Sequence, residues 1–303
     1  MLKLSCALLA WAGALALPRA DAALGPAEIL PVSGGTITVA IDTGLTAKRT
    51  DLRHWIDRAV AAVTHYYGEF PVAALRLEVR MRAGEPVNSG REFSGRLIRI
   101  HVDPAVTATD LNRDWMLTHE MFHLGFPSLD PAYHYLEEGL SDYLEPLARV
   151  RLGQTRPTQP WQDFMEGMPQ GLPKPGEGGL DGTRDWGRTY WGGCIFWFLV
   201  DLDIRQRTGG RLSLDDAIRA IVRAGGTGGA DWSLERMMRT GDGATGTGSI
   251  RRIHEEWGPN AIDPRLPGLW RALGVAEIGG AVRFDESAPQ AAVRRAMTQA
   301  ISP

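Results

Sequence analysis

Residues 117–126 read LTHEMFHLGF and hold two of the chain's seven histidines, four positions apart with a glutamate between them. On a helix, residues four apart share one face, with Cβ atoms about 5–6 Å apart. His119 and His123 can therefore converge on one zinc ion at Zn–N distances of about 2.0–2.1 Å. Glu120 is turned about 100° from His119 around the helix. From there it can flank the metal without ligating it and take a proton from a bound water, which is the mechanical content of His-Glu-x-x-His. A catalytic zinc needs a third protein ligand and one position left open. The stretch YLEEGLSDYLE, residues 135–145, offers one. Glu138 is the candidate ligand. Asp142, four residues on and on the same helical face, can accept the second ring N–H of a ligating histidine. Glu137 is the alternative ligand, although it points about 100° away from that face. The competing reading is that Glu137, Glu138 and Asp142 form a solvated acidic face.

These side chains need helices to hold them. Asp110 can cap a helix through LNRDWMLTHEMFHLG, with Gly125 as its stop. The helix carrying Glu138 should kink or end at Pro146. Residues 189–207 form a third helix, apolar nearly all round and so buried, with Tyr190 at its mouth and Cys194 inside. Upstream, TITVAI (36–41), LRLEVRM (75–81) and RLIRIHV (96–102) alternate as strands. Strand 96–102 can serve as the edge of a cleft, and GREFSG at 90–95 reads as a turn. An amphipathic helix lies between the first two strands. Thr50 is its N-cap, Leu52, Trp55, Ile56, Ala59, Val60, Val63 and Tyr67 form its apolar face, and Gly68 ends it. Residues 156–187 are rich in Gly and Pro and read as a long functional or disordered loop. Ser213 and Asp216 have the spacing of a capping box. A small sheet followed by a helical half is α+β, with no clear linker.

The whole chain narrows the class further. It has 303 residues, 44% hydrophobic and 23% charged, with a net charge of −3. It has no long basic run to suggest a nucleic-acid partner. Lys3, the apolar run Leu4–Leu17 and Ala20-Asp21-Ala22 have the order of a secretory signal peptide, cleaved near Ala22. Removing residues 1–22 takes away Cys6 and leaves Cys194 alone, so a core and a metal, with no internal disulfide, must hold the exported chain together. Ten tryptophans are enough to line an aromatic cleft as well as fill a core.

HEMFH followed by YLEEGLSDY resembles the gluzincins, zinc peptidases whose third ligand is a glutamate on the next helix. Glu-x-x-Ser-Asp at Glu138–Asp142 is similar to the thermolysin-type pattern. The Glu-Gly before an aromatic looks more like the alanyl and glycyl aminopeptidases. In those groups a Tyr-x-Lys-Gly opens a downstream helix, and here Tyr190-Trp191-Gly192-Gly193 does so. LVDLDIRQRTGGRLSLDDAIRAI resembles the glycyl aminopeptidase family most closely, and the likeness spans roughly residues 95–225. Three departures stand out. Fourteen residues separate His123 from Glu138, a short gap for these families, and Gly192 replaces the motif lysine. No Gly-x-Met-Glu-Asn or Gly-Leu-Glu-His precedes the zinc helix, its place being taken by HVDPAVTATDL.

The resemblance implies a thermolysin-like zincin domain over residues 23–303. Its sheet and zinc helices would occupy about 30–155 and its helical subdomain about 185–300. It implies a secreted or periplasmic peptidase with one Zn²⁺ on His119, His123 and Glu138, Asp142 behind them, Glu120 as general base and Tyr190 as oxyanion donor. His134 is the alternative electrophile. The expected partner is a peptide or protein substrate, with no stable membrane anchor once the signal is removed. The alternatives are an inactive zincin-fold peptide-binding protein and a structural export protein with an accidental motif.

Overall fold

The computed structural model describes residues 23–299. The signal-peptide reading of residues 1–22 lies outside them. Among the described residues no helix is long and apolar enough to cross a membrane.

A five-stranded mixed sheet forms the first layer, in the order β1-β2-β3-β5-β4. β1 (Glu28–Val32) pairs antiparallel with β2 (Gly35–Ile41). β2 and β3 (Ala74–Met81) are parallel, joined by α1 (Arg49–Tyr67). β3 and β5 (Leu97–Val102) are also parallel, and β4 (Val87–Phe93) returns antiparallel along the far side of β5. Alternation decides which face is wet. Leu75, Leu77, Ile98, Ile100 and Val102 are buried in one core with Leu52, Ile56 and Val63 of α1. On the other face Glu78 accepts hydrogen bonds from Arg76, Arg80 and Arg99 at 2.9–3.1 Å, tying β3 to β5.

The strand at 96–102 is not a cleft edge, because β5 sits between β3 and β4. The cleft edge is β4, which takes in most of the stretch read as a turn. Only Ser94 and Gly95, both at positive φ, turn. The reason is physical: β4 has one strand partner and no buried alternation, so it lacks the pattern that marks a strand.

Helices make the second half. α2 (Ala108–Arg113) and α3 (Met116–Phe122) replace the single helix expected over 111–125. Thr107 is the N-cap of α2, with Asp110 completing the capping box from inside the helix. The break falls at Asp114, whose ψ of 138° leaves the helical region. Its carboxylate instead accepts the N–H groups of Met116 and Leu117 and the indole N–H of Trp55, which pins the start of α3 to α1. α1 itself starts one residue before Thr50, because a 3-10 turn at Thr43–Lys48 feeds straight into it.

α4 (His134–Arg151) runs through Pro146. The proline removes one bond, the one the Asp142 carbonyl would have accepted, and flanking packing keeps the helix going. α5 (Gln159–Gly167) and a 3-10 turn at Met168–Gly171 occupy part of the presumed loop; α5 is only nine residues long and has a proline in its first turn, so the surrounding Gly and Pro mask its helical spacing. α6 (Gly193–Thr208) is preceded by a π-helical turn at Arg188–Gly192, which departs from the uniform helix expected over 189–207. α7 (Leu214–Arg223) begins with the Ser213–Asp216 capping box. α8 (Leu234–Thr245), α9 (Ser249–Trp257), α10 (Leu266–Leu273), the hairpin β6–β7 (Val275–Ile278, Ala281–Phe284) and α11 (Ala291–Thr298) complete the chain. Cys194 is free and fully buried.

α4 and α6 touch backbone to backbone. A Cβ on Gly139 would lie 2.1 Å from the Gly193 carbonyl carbon, and one on Gly193 would lie 1.9 Å from the Tyr135 carbonyl oxygen. The Trp197 indole donates to the Leu136 carbonyl at 2.8 Å, and the Tyr143 hydroxyl donates to Asp201 at 2.7 Å. These contacts set where α4 lies relative to Tyr190. Gly139→Ala should cost at least about 1–3 kcal/mol of stability, because the obstacle is backbone that cannot rotate away; the midpoint of denaturant unfolding measures it.

The Glu78 cluster predicts an acid response. Burial pushes this carboxyl up, but the three arginines outweigh it and hold it at about 2, against an ordinary value of 4.5. A carboxylate depressed on folding adds stability that is full above its ordinary pKa and is lost as pH falls toward the folded value. The contribution should be on the order of 2 kcal/mol once solvent screening of the partly exposed guanidiniums is allowed for. The gap in melting temperature between wild type and Glu78→Gln should therefore be open at pH 6 and close between pH 4.5 and 2.

Candidate metal centre and cleft

The structure brings His119, His123 and Glu138 together. The two Nε2 atoms are 3.2 Å apart, and Glu138 Oε2 lies 3.2 Å from the first and 3.4 Å from the second. A tetrahedron with bonds of about 2.0–2.1 Å has edges of about 3.3–3.4 Å. The three ligand atoms thus form one face of such a tetrahedron, with the fourth corner free, and the donor set of two imidazoles and one carboxylate fits zinc. Among the described residues this is the one group of histidine, cysteine and acidic side chains close enough to hold a metal ion. Glu137 points elsewhere, accepting the Leu129 N–H at 2.8 Å and facing His134.

The surroundings orient each ligand. Asp142 Oδ1 stands 2.9 Å from His119 Nδ1, a close contact although not linear enough for a well-formed hydrogen bond. The Ser141 hydroxyl meets His123 Nδ1 at 3.3 Å. Ser141 was not singled out from the sequence, though it follows from the helix: it lies three residues beyond Glu138. His134, on the first turn of α4, sets its Nε2 3.2 Å from Glu138 Oε1, the oxygen turned away from the imidazoles. It therefore holds the ligand's second oxygen and leaves one for a metal.

The electrostatics suit a cation. Burial raises the Glu138 carboxyl, but His119, His123 and His134 outweigh it and hold it well below the usual carboxylate range. Burial alone would lower His119, yet the Asp142 and Glu138 carboxylates push it well above the ordinary histidine value. Glu120 is buried beside the cluster, and burial raises its carboxyl, against the pull of both histidines. Gly90 of β4 makes room for it: a Cβ there would lie 2.8 Å from Glu120 Cγ and 2.9 Å from Oε1.

Tyr190 sits in the middle of the π-helical turn, and its ring stacks on that of His119 with centroids 6.2 Å apart and planes 18° apart. π-Helical turns recur at functional sites, and this one aims the phenol at the ligands. Burial, then the charges of Glu138 and Asp142, raise the hydroxyl, so it stays protonated as a donor. A residue missed in the sequence is Glu92 of β4. Burial raises its carboxyl, which accepts the Gly95 N–H in the turn that ends β4, while its backbone N–H faces the Glu120 carboxylate. It was hidden inside the stretch read as a turn.

A cavity of about 1230 Å³ opens from His119, Glu120 and Tyr190 toward the end of α4 and α5, and a smaller one of about 540 Å³ lies beside His134 and Glu137. The His134 contact gives a prediction. His134→Ala should weaken zinc binding about 10–100-fold by releasing the second oxygen of Glu138, read by competition with a metal chelator.

Neither a protein-family model nor a curated protein sequence matches the chain. Solved structures do. An aminopeptidase N family protein from Idiomarina loihiensis superposes with a TM-score of 0.61 at 12% identity, over 82% of this chain and 49% of its own. An M1 zinc metallopeptidase from Deinococcus radiodurans gives 0.55 at 18%, over 80% and 54%. The same organism's enzyme with a Tyr-Ser-Ala substrate gives 0.53 at 17%, over 80% and 54%. The chain spans about half the length of these neighbours. It is similar to them in fold, with a mixed N-terminal sheet and a helical C-terminal region.

Proposed function

We propose that this chain is an exported zinc-dependent peptidase that hydrolyses peptide bonds with an activated water. The observation that carries the reading is the triangle of His119 Nε2, His123 Nε2 and Glu138 Oε2, with edges of 3.2–3.4 Å and Glu120 beside it. When bound, zinc would supply Lewis-acid polarisation of the scissile carbonyl and bring the pKa of a water toward about 7. Glu120 takes the proton from the attacking water and passes it to the leaving amine; burial raises its carboxyl, against the pull of both histidines. The Tyr190 hydroxyl donates to the oxygen that gains charge, a class of contact worth about two to three orders of magnitude in rate.

β4 supports a peptide as the substrate. Among the described residues its outer edge has no strand partner, and Ser89 and Gly90 line the larger cavity. An extended peptide can pair along it as a sixth strand, and one fold neighbour holds a Tyr-Ser-Ala substrate. The fold likeness to an aminopeptidase N family protein favours the aminopeptidase form of the reading, in which the substrate offers a free N-terminal ammonium that an internal peptide bond does not.

The test uses mature protein from the exported fraction, expected to begin near Ala23 and to carry one zinc per chain. It should cleave members of a peptide library. Glu120→Gln should lower kcat/KM by about two to four orders of magnitude with zinc content unchanged. N-acetylation should abolish cleavage. Cleavage of acetylated peptides would leave a peptidase but remove the N-terminal recognition. Zinc without cleavage above the Glu120→Gln level would replace the enzyme with a peptide-binding protein.

A further inference from the structure

Large apolar side chains at a protein surface are informative when they cluster at a site. Of the tryptophans among the described residues, only Trp115 and Trp186 are exposed, at 47% and 59%. They come from distant parts of the chain, yet both line the larger cavity, beside His119, Glu120 and Tyr190. Trp115, just before α3, sets its ring edge-on to His119 with centroids 5.5 Å apart. Trp186, just before the π-helical turn, stacks on Tyr190 at 5.3 Å with 25° between planes. Since His119 stacks on Tyr190 in turn, the four rings form one row, Trp115–His119–Tyr190–Trp186, with the candidate ligand and the oxyanion donor in the middle.

Both outer rings are held in place from behind. The backbone before Trp115 is pinned by Asp114 to Trp55. The segment before Trp186 is pinned by buried Arg188, which donates to the Gly171 carbonyl at 2.9 Å and the Gly178 carbonyl at 3.2 Å. Trp186 also lines the smaller cavity, so it stands on the partition between the two. Keeping two indoles half in water costs stability and is recovered only when something covers them. Whatever lies across the middle of the row has a wide aromatic face on either side.

We infer that Trp115 and Trp186 select substrates with an aromatic or large apolar side chain next to the scissile bond, one indole reading each side. This rests on the peptidase reading, so its test avoids turnover. Calorimetry on zinc-loaded Glu120→Gln protein would compare Ala-Ala-Ala, Phe-Ala-Ala and Ala-Phe-Ala. Both Phe peptides should bind about tenfold tighter than the Ala peptide, the scale of a stacked aromatic contact plus its buried area. Trp115→Ala should erase the gain at one Phe position and keep the other, and Trp186→Ala should do the reverse. Trp186→Phe should restore its own gain, which separates ring recognition from support of Tyr190. Equal affinity for the three peptides overturns the inference, as does equal loss for all three in both variants. Failure of the hydrolase reading is a different result: wild-type protein with zinc that cleaves nothing, whatever the binding preference.

Discussion

One carboxylate oxygen, Glu138 Oε2, faces two imidazole nitrogens at once, and most of the architecture serves to keep it there. The site draws together charge that would otherwise be costly to bury. His119, His123 and His134, the carboxylates of Glu120, Glu138 and Asp142 and the Tyr190 phenol crowd one region, with burial opposing their ionised forms. The groups settle this conflict through one another: carboxylates raise the histidines, the histidines depress Glu138, and the resulting field is what a divalent cation satisfies. Around it, Asp142, Ser141 and His134 each face one ligand atom that does not point at the centre.

The legible part of the sequence is the part with strong local rules. The spacing of His119 and Glu120, and of Glu138 with Asp142 on α4, is helical as expected, while His123 opens the 3-10 turn His123–Gly125 that continues α3 and still brings its ring to His119. β2, β3, β5 and α1 were legible from alternation and from the repeat of apolar positions, whereas β1 and the β6–β7 hairpin were not. What sequence reading missed was decided by tertiary contacts. β4 has no apolar alternation because one side faces the cleft and its glycine yields space to Glu120. Asp114 breaks an otherwise continuous helical pattern because Trp55, far away in sequence, shares its carboxylate. α4 survives Pro146 because its flanks are buried on nearly every side.

The misassigned β4 mattered most for function. Reading it as a turn removed from view both the surface on which an extended chain could lie and Glu92. The likeness to M1 zinc metallopeptidases, at identities of 12–18%, is a likeness of fold. The chemistry of the cleft is read from this chain's own residues, its exposed indoles and the fourteen residues between His123 and Glu138 among them.

The glycine contact between α4 and α6 carries a last consequence. Gly139 follows the third ligand directly, and Gly193 lies three residues beyond Tyr190. With bare backbone pressed on bare backbone, neither helix can slide without dragging the other. Loosening by heat would then separate the Glu138 carboxylate and the Tyr190 phenol in a single cooperative event, so any ion held there and any activity that depends on both would be lost at one temperature.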